Sequence, residues 1–306
     1  MSNATPTHLV HFDPSYVIDG GFDTISKNGR VAEALRRRPD LGIGIVSPVP
    51  VEAEGLAKVH APDYVRAVIS GEPRDLAGSA GIGWSPARVD SWLASTGGVV
   101  DAVKRVLAGD AVSGSLSSGL HHARYGRGSG YCTLNGLALA AFEAIESGAA
   151  AVLVIDVDAH GGGGTADIIE RLHLEGVDGI HQVDVSVNPF DGYESTDRVS
   201  HVLSGADTYL DDIRRALESV KDPSRYDVVI YNAGMDPHEK AGGRFGIDTE
   251  TITERERMVF DWCADNRLGV AWVLAGGYAS GDFDLDDVAE LHVSTAQAAS
   301  RVNRSR

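Results

Sequence analysis

The chain has 306 residues, 43% of them hydrophobic and 23% charged, with 36 glycines and a formal net charge of −17. That composition excludes fibrous and wholly disordered classes, and so acidic a surface repels phosphate backbones, which argues against direct nucleic-acid binding. It suits a cationic ligand such as a polyamine or a lysine-rich peptide, and it equally suits plain solubility. Two cysteines, Cys132 and Cys263, form no disulfide framework and fit a reducing compartment. The opening stretch MSNATPTHLVHFDPSY lacks the basic and apolar regions of a signal peptide, and no uncharged apolar run approaches the ~18 to 20 residues of a membrane helix. A cytoplasmic protein is expected, with no membrane partner and with a homo-oligomer compatible with the sequence. No internal repeat or low-complexity linker divides the chain, so residues 1–306 are read as one domain.

In chain order, residues 9–12 (LVHF) give a first short apolar run. Val31, Ala34 and Leu35 fall at helical spacing and predict a helix over 30–38. Val99, Val100, Val103 and Val106-Leu107 predict another over 96–108, and the Ala/Leu-rich stretch 134–147 a third. Strand-like runs follow at 151–155 and 181–187, then a helix over 207–220, a strand over 228–232, a helix over 253–266 and a strand over 269–275. The strand runs are apolar for most of their length, the pattern of strands buried on both faces of a parallel sheet. Strand–helix alternation throughout implies an α/β fold, a three-layer αβα domain. Sites in such folds lie beyond the carboxyl ends of the strands.

Four polar segments sit where that rule directs attention. His121-His122 lies in SSGLHHARYGRGSGYCTLN, where adjacent imidazoles can serve as a general base and an electrostatic or acid partner. In AVLVIDVDAHGGGG, the polar residues Asp156, Asp158 and His160 alternate at a strand end and so share a face. Carboxylate and imidazole are an ordinary zinc ligand set. A Walker-type phosphate loop would need Lys-Ser/Thr after the glycines, whereas Gly164 is followed by Thr165-Ala166. In YNAGMDPH a further strand ends on Asp236, which completes a two-carboxylate, one-imidazole set with room for water and substrate. Finally LAGGY carries Tyr278, whose phenol can donate to a developing oxyanion.

These segments, in this order, resemble the histone deacetylase and acetylpolyamine amidohydrolase superfamily. Residues 58–65 (KVHAPDYV) are similar to that family's early His-Ser-Pro-Glu-Tyr stretch, and Asn28-Gly29-Arg30 to the place where it carries an arginine before an early helix. The resemblance implies an arginase/deacetylase fold with a central, mostly parallel sheet of about eight strands. It implies a zinc-dependent hydrolase that removes an acetyl or acyl group from an amine, such as acetyl-lysine or an acetylated polyamine, by attack of a metal-bound water. Asp158, His160 and Asp236 would hold the metal, zinc or ferrous iron. Tyr278 would steady the oxyanion, His122 act as base and then acid, and His121 be its companion oriented by Asp156. Asp156, Ser186 and Val187 resemble a structural potassium site. Gly130 and Tyr131 resemble one wall of an acyl tunnel, with Tyr193 or Phe190 as the other, and Arg30 resembles a residue lining an internal acetate channel. The loops 71–85 and 188–201 are expected to shape the pocket.

The departures are as informative as the match. The family pattern Asp-x-His-His-Gly-Asp/Asn-Gly reads here Asp158-Ala159-His160-Gly161-Gly162-Gly163-Gly164. The second histidine is absent, and Gly163 stands where a carboxylate or amide orients the base, so His122 is expected to lack its usual partner. Gly162 also lacks the acid that would bridge a second metal, which argues against a binuclear manganese ureohydrolase on the same fold. The other alternative is a non-catalytic member that binds acyl ligands or partner proteins.

Overall fold

A computed structural model describes residues 8–18 and 23–304. The first seven residues of the N-terminal stretch read above lie outside the described residues. Eight strands form one sheet: β1 His8–His11, β2 Ile43–Val46, β3 Val112–Ser115, β4 Val152–Asp156, β5 Ile180–Ser186, β6 Val199–Leu203, β7 Val228–Ala233 and β8 Val270–Leu274. Their order is β2-β1-β3-β8-β7-β4-β5-β6, and every pairing is parallel. The helices are α1 Asp23–Arg36, α2 Ala53–Leu56, α3 Pro62–Ser70, α4 Arg74–Ala77, α5 Pro86–Leu107, α6 Gly136–Glu146, α7 Gly163–Leu174, α8 Tyr209–Glu218, α9 Thr249–Asp265 and α10 Leu285–Arg304.

Alternate strand residues feed two apolar layers. Leu153, Ile155, Val229, Tyr231 and Trp272 face a core shared with α1, α8, α9 and α10. Val152, Val154, Val228, Ile230 and Val273 face the other, shared with α3, α5, α6 and α7. The central strands are therefore apolar on both sides, which is why their sequences read as runs rather than alternations. The expected three-layer parallel architecture is what the chain forms. Among the described residues no helix is long and apolar enough to cross a membrane.

Helix starts are written locally. Ser85 accepts from Arg88 N ahead of Pro86, Asn135 from Ala138 N, and Asp248 from Thr251 N. The predicted helices at 30–38 and 96–108 capture the C-terminal parts of α1 and α5 and overrun their ends by two residues and one. Strands β3, β4, β7 and β8 are neighbours at the middle of the sheet, and the His-His, Asp-x-Asp-x-His, Met-Asp and Gly-Gly-Tyr segments follow their carboxyl ends. Adjacency in the sheet thus gathers four segments that are far apart in the chain.

Candidate active site

Asp158, His160 and Asp236 converge, each offering one ligand atom, with those atoms within 4.8 Å of one another. Their places are set by backbone donors. Gly276 N donates to Asp158 Oδ2 at 2.7 Å, and Ala159 N to Asp236 Oδ1 at 2.9 Å. The remaining oxygens face His160 Nδ1, Asp158 Oδ1 at 3.2 Å and Asp236 Oδ2 at 3.1 Å. Both acids are fully buried. Burial alone lowers the His160 pKa, yet the two carboxylates raise it to about 11. Asp236 is pushed up by burial and by the Asp158 charge, whereas His121 and His160 hold Asp158 well below its usual value despite burial. The cluster is an electron-rich pocket that calls for a cation at its centre.

Behind it, the buried Arg255 ties the strand ends together. Its Nη1 donates to Gly234 O at 2.6 Å and to Val157 O at 3.3 Å, and Glu256 balances its charge. The turns that carry Asp158 and Asp236 are thus fixed to one guanidinium.

The two histidine rings lie 3.9 Å apart between centroids, tilted by 36°, but have different partners. His121 Nδ1 meets Asp156 Oδ2 at 2.9 Å. Burial lowers its pKa, and Asp156 with Asp158 overcomes this and raises it to about 10. His122 moves the other way, to about 4, because burial and the neighbouring His121 charge outweigh its bond to a carboxylate. That carboxylate is Asp191, whose Oδ2 lies 2.8 Å from His122 Nδ1. His122 thus lacks a partner at position 163, as expected, and a residue from the loop after β5 supplies one instead. Arg124 engages the same carboxylate through Nη2 and Gly163 O through Nη1 at 3.2 Å.

His121, His122, Gly130, Asp158, Gly276 and Tyr278 line one narrow cavity. The wider surface hollows, near Arg198 and Arg225 and along the start of α9, contain none of them. At the mouth, Gly130 (φ 49°) leaves no room for a side chain, since a Cβ there would stand 2.4 Å from the His122 ring. Tyr131 is 42% exposed and its backbone N donates to Ala80 O in the 71–85 loop. Phe190 stands edge-on to His122 and His160 at 5.0 and 5.8 Å. Tyr193 does not reach this mouth, which corrects its placement there. Its hydroxyl accepts from Gln182 Nε2 at 2.8 Å and donates to Ser200 O at 3.2 Å, and its ring lies 5.1 Å from that of His201. A second correction concerns Arg30, which is exposed and faces Asp286 at 3.6 Å. The buried cation beneath the Gly-Gly-Tyr turn is Lys27, whose Nζ donates to Ala275 O and to Gly277 O, the latter at 3.3 Å. The sequence carried a signal for it: Lys27 lies four and seven residues before Val31 and Ala34, on the apolar stripe of α1.

The histone deacetylase domain model matches residues 21–295. The chain belongs to the histone deacetylase family. An uncharacterized protein of Picosynechococcus sp. is 32% identical over 255 residues, covering 79% of this chain and 83% of that protein. The acetoin utilization protein AcuC of Bacillus subtilis is 27% identical over 271 residues, covering 79% and 67%. The crystal structure of the acetylpolyamine aminohydrolase from Burkholderia pseudomallei superposes with a TM-score of 0.73 at 16% identity, covering 96% of this chain and 99% of that one. This deacetylase shares its fold with that structure and is a hydrolase of a generally metal-dependent family.

Proposed function

We propose that this deacetylase removes an acetyl group from a primary or secondary amine on a cationic molecule, an acetylated polyamine or acetyl-lysine, with zinc or ferrous iron held by Asp158, His160 and Asp236. The observation that carries the reading is the meeting of that cluster, through Asp158, with the unlike histidine pair along one narrow cavity. The donor set fits a divalent ion. Asp236 Oδ2 is buried and accepts no well-aligned hydrogen bond, although His160 Nδ1 lies 3.1 Å away. When bound, such an ion supplies Lewis-acid polarisation of the acyl carbonyl and brings the pKa of a water toward ~7.

The chain's own groups would do the rest. His122, with its Nδ1–H donating to Asp191, presents Nε2 as an acceptor that takes a proton from water and returns it to the leaving amine. His121, held charged by Asp156, adds fixed positive potential beside it. Tyr278 donates to the oxygen on which charge develops. Gly130, Tyr131 and Phe190 form the channel for the acyl-amine stem.

The potassium reading has weaker support. Asp156 Oδ1 accepts from Asp158 N and Asn232 Nδ2, Ser186 Oγ meets His201 Nε2 at 2.8 Å, and Val187 O accepts from Arg244 Nε at 2.7 Å. Each of these oxygens already has a protein partner. The ureohydrolase alternative fares worse, because a Cβ at Gly162 would stand 2.7 Å from Asp156 Oδ2.

The direct test is deacetylation of acetylpolyamines and acetyl-lysine peptides by protein of known metal content, together with binding of a metal-chelating hydroxamate. Turnover that rises with metal occupancy is expected; metal-loaded protein that neither turns over an acyl-amine nor binds hydroxamate overturns the reading. Lys27→Met should remove the Lys27 donor from the Gly277 carbonyl and leave Ala275 O with Ser118 Oγ, at a cost of ~1–3 kcal/mol. It should appear as a lower unfolding midpoint with reduced turnover and unchanged metal content.

A further inference from the structure

The family's two departures in the glycine run have one structural cause. A Cβ at Gly161 would lie 2.7 Å from Asp191 O, and a Cβ at Gly163 would lie 2.5 Å from Asp191 O and 2.7 Å from Asp191 Oδ1. The loop after β5 fills the space that side chains at 161 and 163 would need. It is pinned there by Gly161 N donating to Phe190 O at 3.0 Å, by Asn188 N donating to Ala159 O at 2.7 Å, and by Asn188 Oδ1 accepting from Phe190 N at 2.9 Å. Asp191 adopts φ 55°, a left-handed conformation that Asp tolerates better than most residues. Its side chain is 6% exposed.

We infer that Asp191, clamped by Arg124, is the positioning residue that fixes the tautomer and orientation of His122, in place of a carboxylate on α7. The inference rests on the deacetylase mechanism proposed above for its consequence, but its geometry stands without it. A carboxylate on Nδ1 holds the proton there, so that Nε2 is the lone-pair nitrogen facing the cavity. Arg124 bridges the Asp191 carboxylate and the Gly163 carbonyl, so it ties the loop to the start of α7. Phe190, on the same loop, rests on the His122 ring. One segment therefore sets both the wall of the channel and the aim of the base.

The test pairs kinetics with a readout that a merely structural role would not move. In ¹⁵N histidine NMR spectra, wild-type His122, assigned by its loss in His122→Gln, should show a protonated Nδ1 and a bare Nε2. Asp191→Ala should lose that single tautomer, and in metal-loaded enzyme should lower kcat roughly 10²-fold with KM nearly unchanged. Asp191→Asn, which keeps an acceptor and tolerates the left-handed backbone, should retain the tautomer and fold even if the alanine variant does not. A His122 spectrum unchanged in Asp191→Ala, or kcat unchanged in that variant, overturns the inference. Wild-type protein without deacetylation would instead count against the proposed function, while the NMR result would still decide whether Asp191 sets the tautomer.

Discussion

Asp236→Ala should fold like the parent, lose its metal and lose turnover by about 10³- to 10⁴-fold, the several kcal/mol that a Lewis acid contributes at ~1.36 kcal/mol per decade. The expectation on folding follows from the local electrostatics. In metal-free protein Asp236 is a buried acid whose pKa is raised by burial and by the Asp158 charge, so its removal relieves that repulsion, deprives Ala159 N of an acceptor and leaves His160 with Asp158 as its carboxylate partner. Asp158→Ala is a poorer probe of the same idea. It strips acceptors from both Gly276 N and His160 N, and removes a counter-charge from His121, so lost activity there would mix metal loss with collapse of the turn. Metal-to-protein ratios by elemental analysis, with unfolding midpoints of metal-free protein, separate the two effects. Full metal occupancy with parental turnover in Asp236→Ala would remove that residue from the ligand set.

How much of this was legible in the sequence depends on where each group sits relative to a strand. Strands β4, β7 and β8 announce themselves because both faces are buried and most of their residues are Val, Ile, Leu or Ala. Strand β3 does not, because Val112-Ser113-Gly114-Ser115 buries two hydroxyls that bond backbone and neighbouring side chains. Helix α7 starts inside the glycine run, where the sequence suggests a turn. Groups that follow a readable strand, such as Asp158, Asp236 and Tyr278, could be picked out by position alone. Asp191 and Lys27 could not be found that way. Asp191 reaches His122 only through the tertiary placement of a loop, in a Pro-Phe-Asp-Gly stretch that looks like any turn. Lys27 is overshadowed by Arg30, which stands where the family carries an arginine, although the apolar stripe of α1 marks position 27 as the buried one.

Tyr278→Phe tests chemistry with the least disturbance to packing. The ring is retained over Gly242, where a Cβ would come within 2.8 Å of it, and Tyr278 N keeps its bond to Ala241 O. Lys27 keeps its grip on the turn from below. Only the phenol oxygen is lost, and a donor to a developing oxyanion is worth roughly 10²- to 10³-fold in turnover. The expected result is therefore a fall of that size in kcat, with metal content, unfolding midpoint and KM close to parental. Hydroxamate binding should persist, because the metal cluster is untouched. Parental kcat in this variant would place the oxyanion donor elsewhere. Because Tyr278 and the Asp191–His122 pair would serve one transition state, combining Tyr278→Phe with Asp191→Ala should cost less than the product of the single losses. A full multiplicative loss would mean that the two groups act in separate steps.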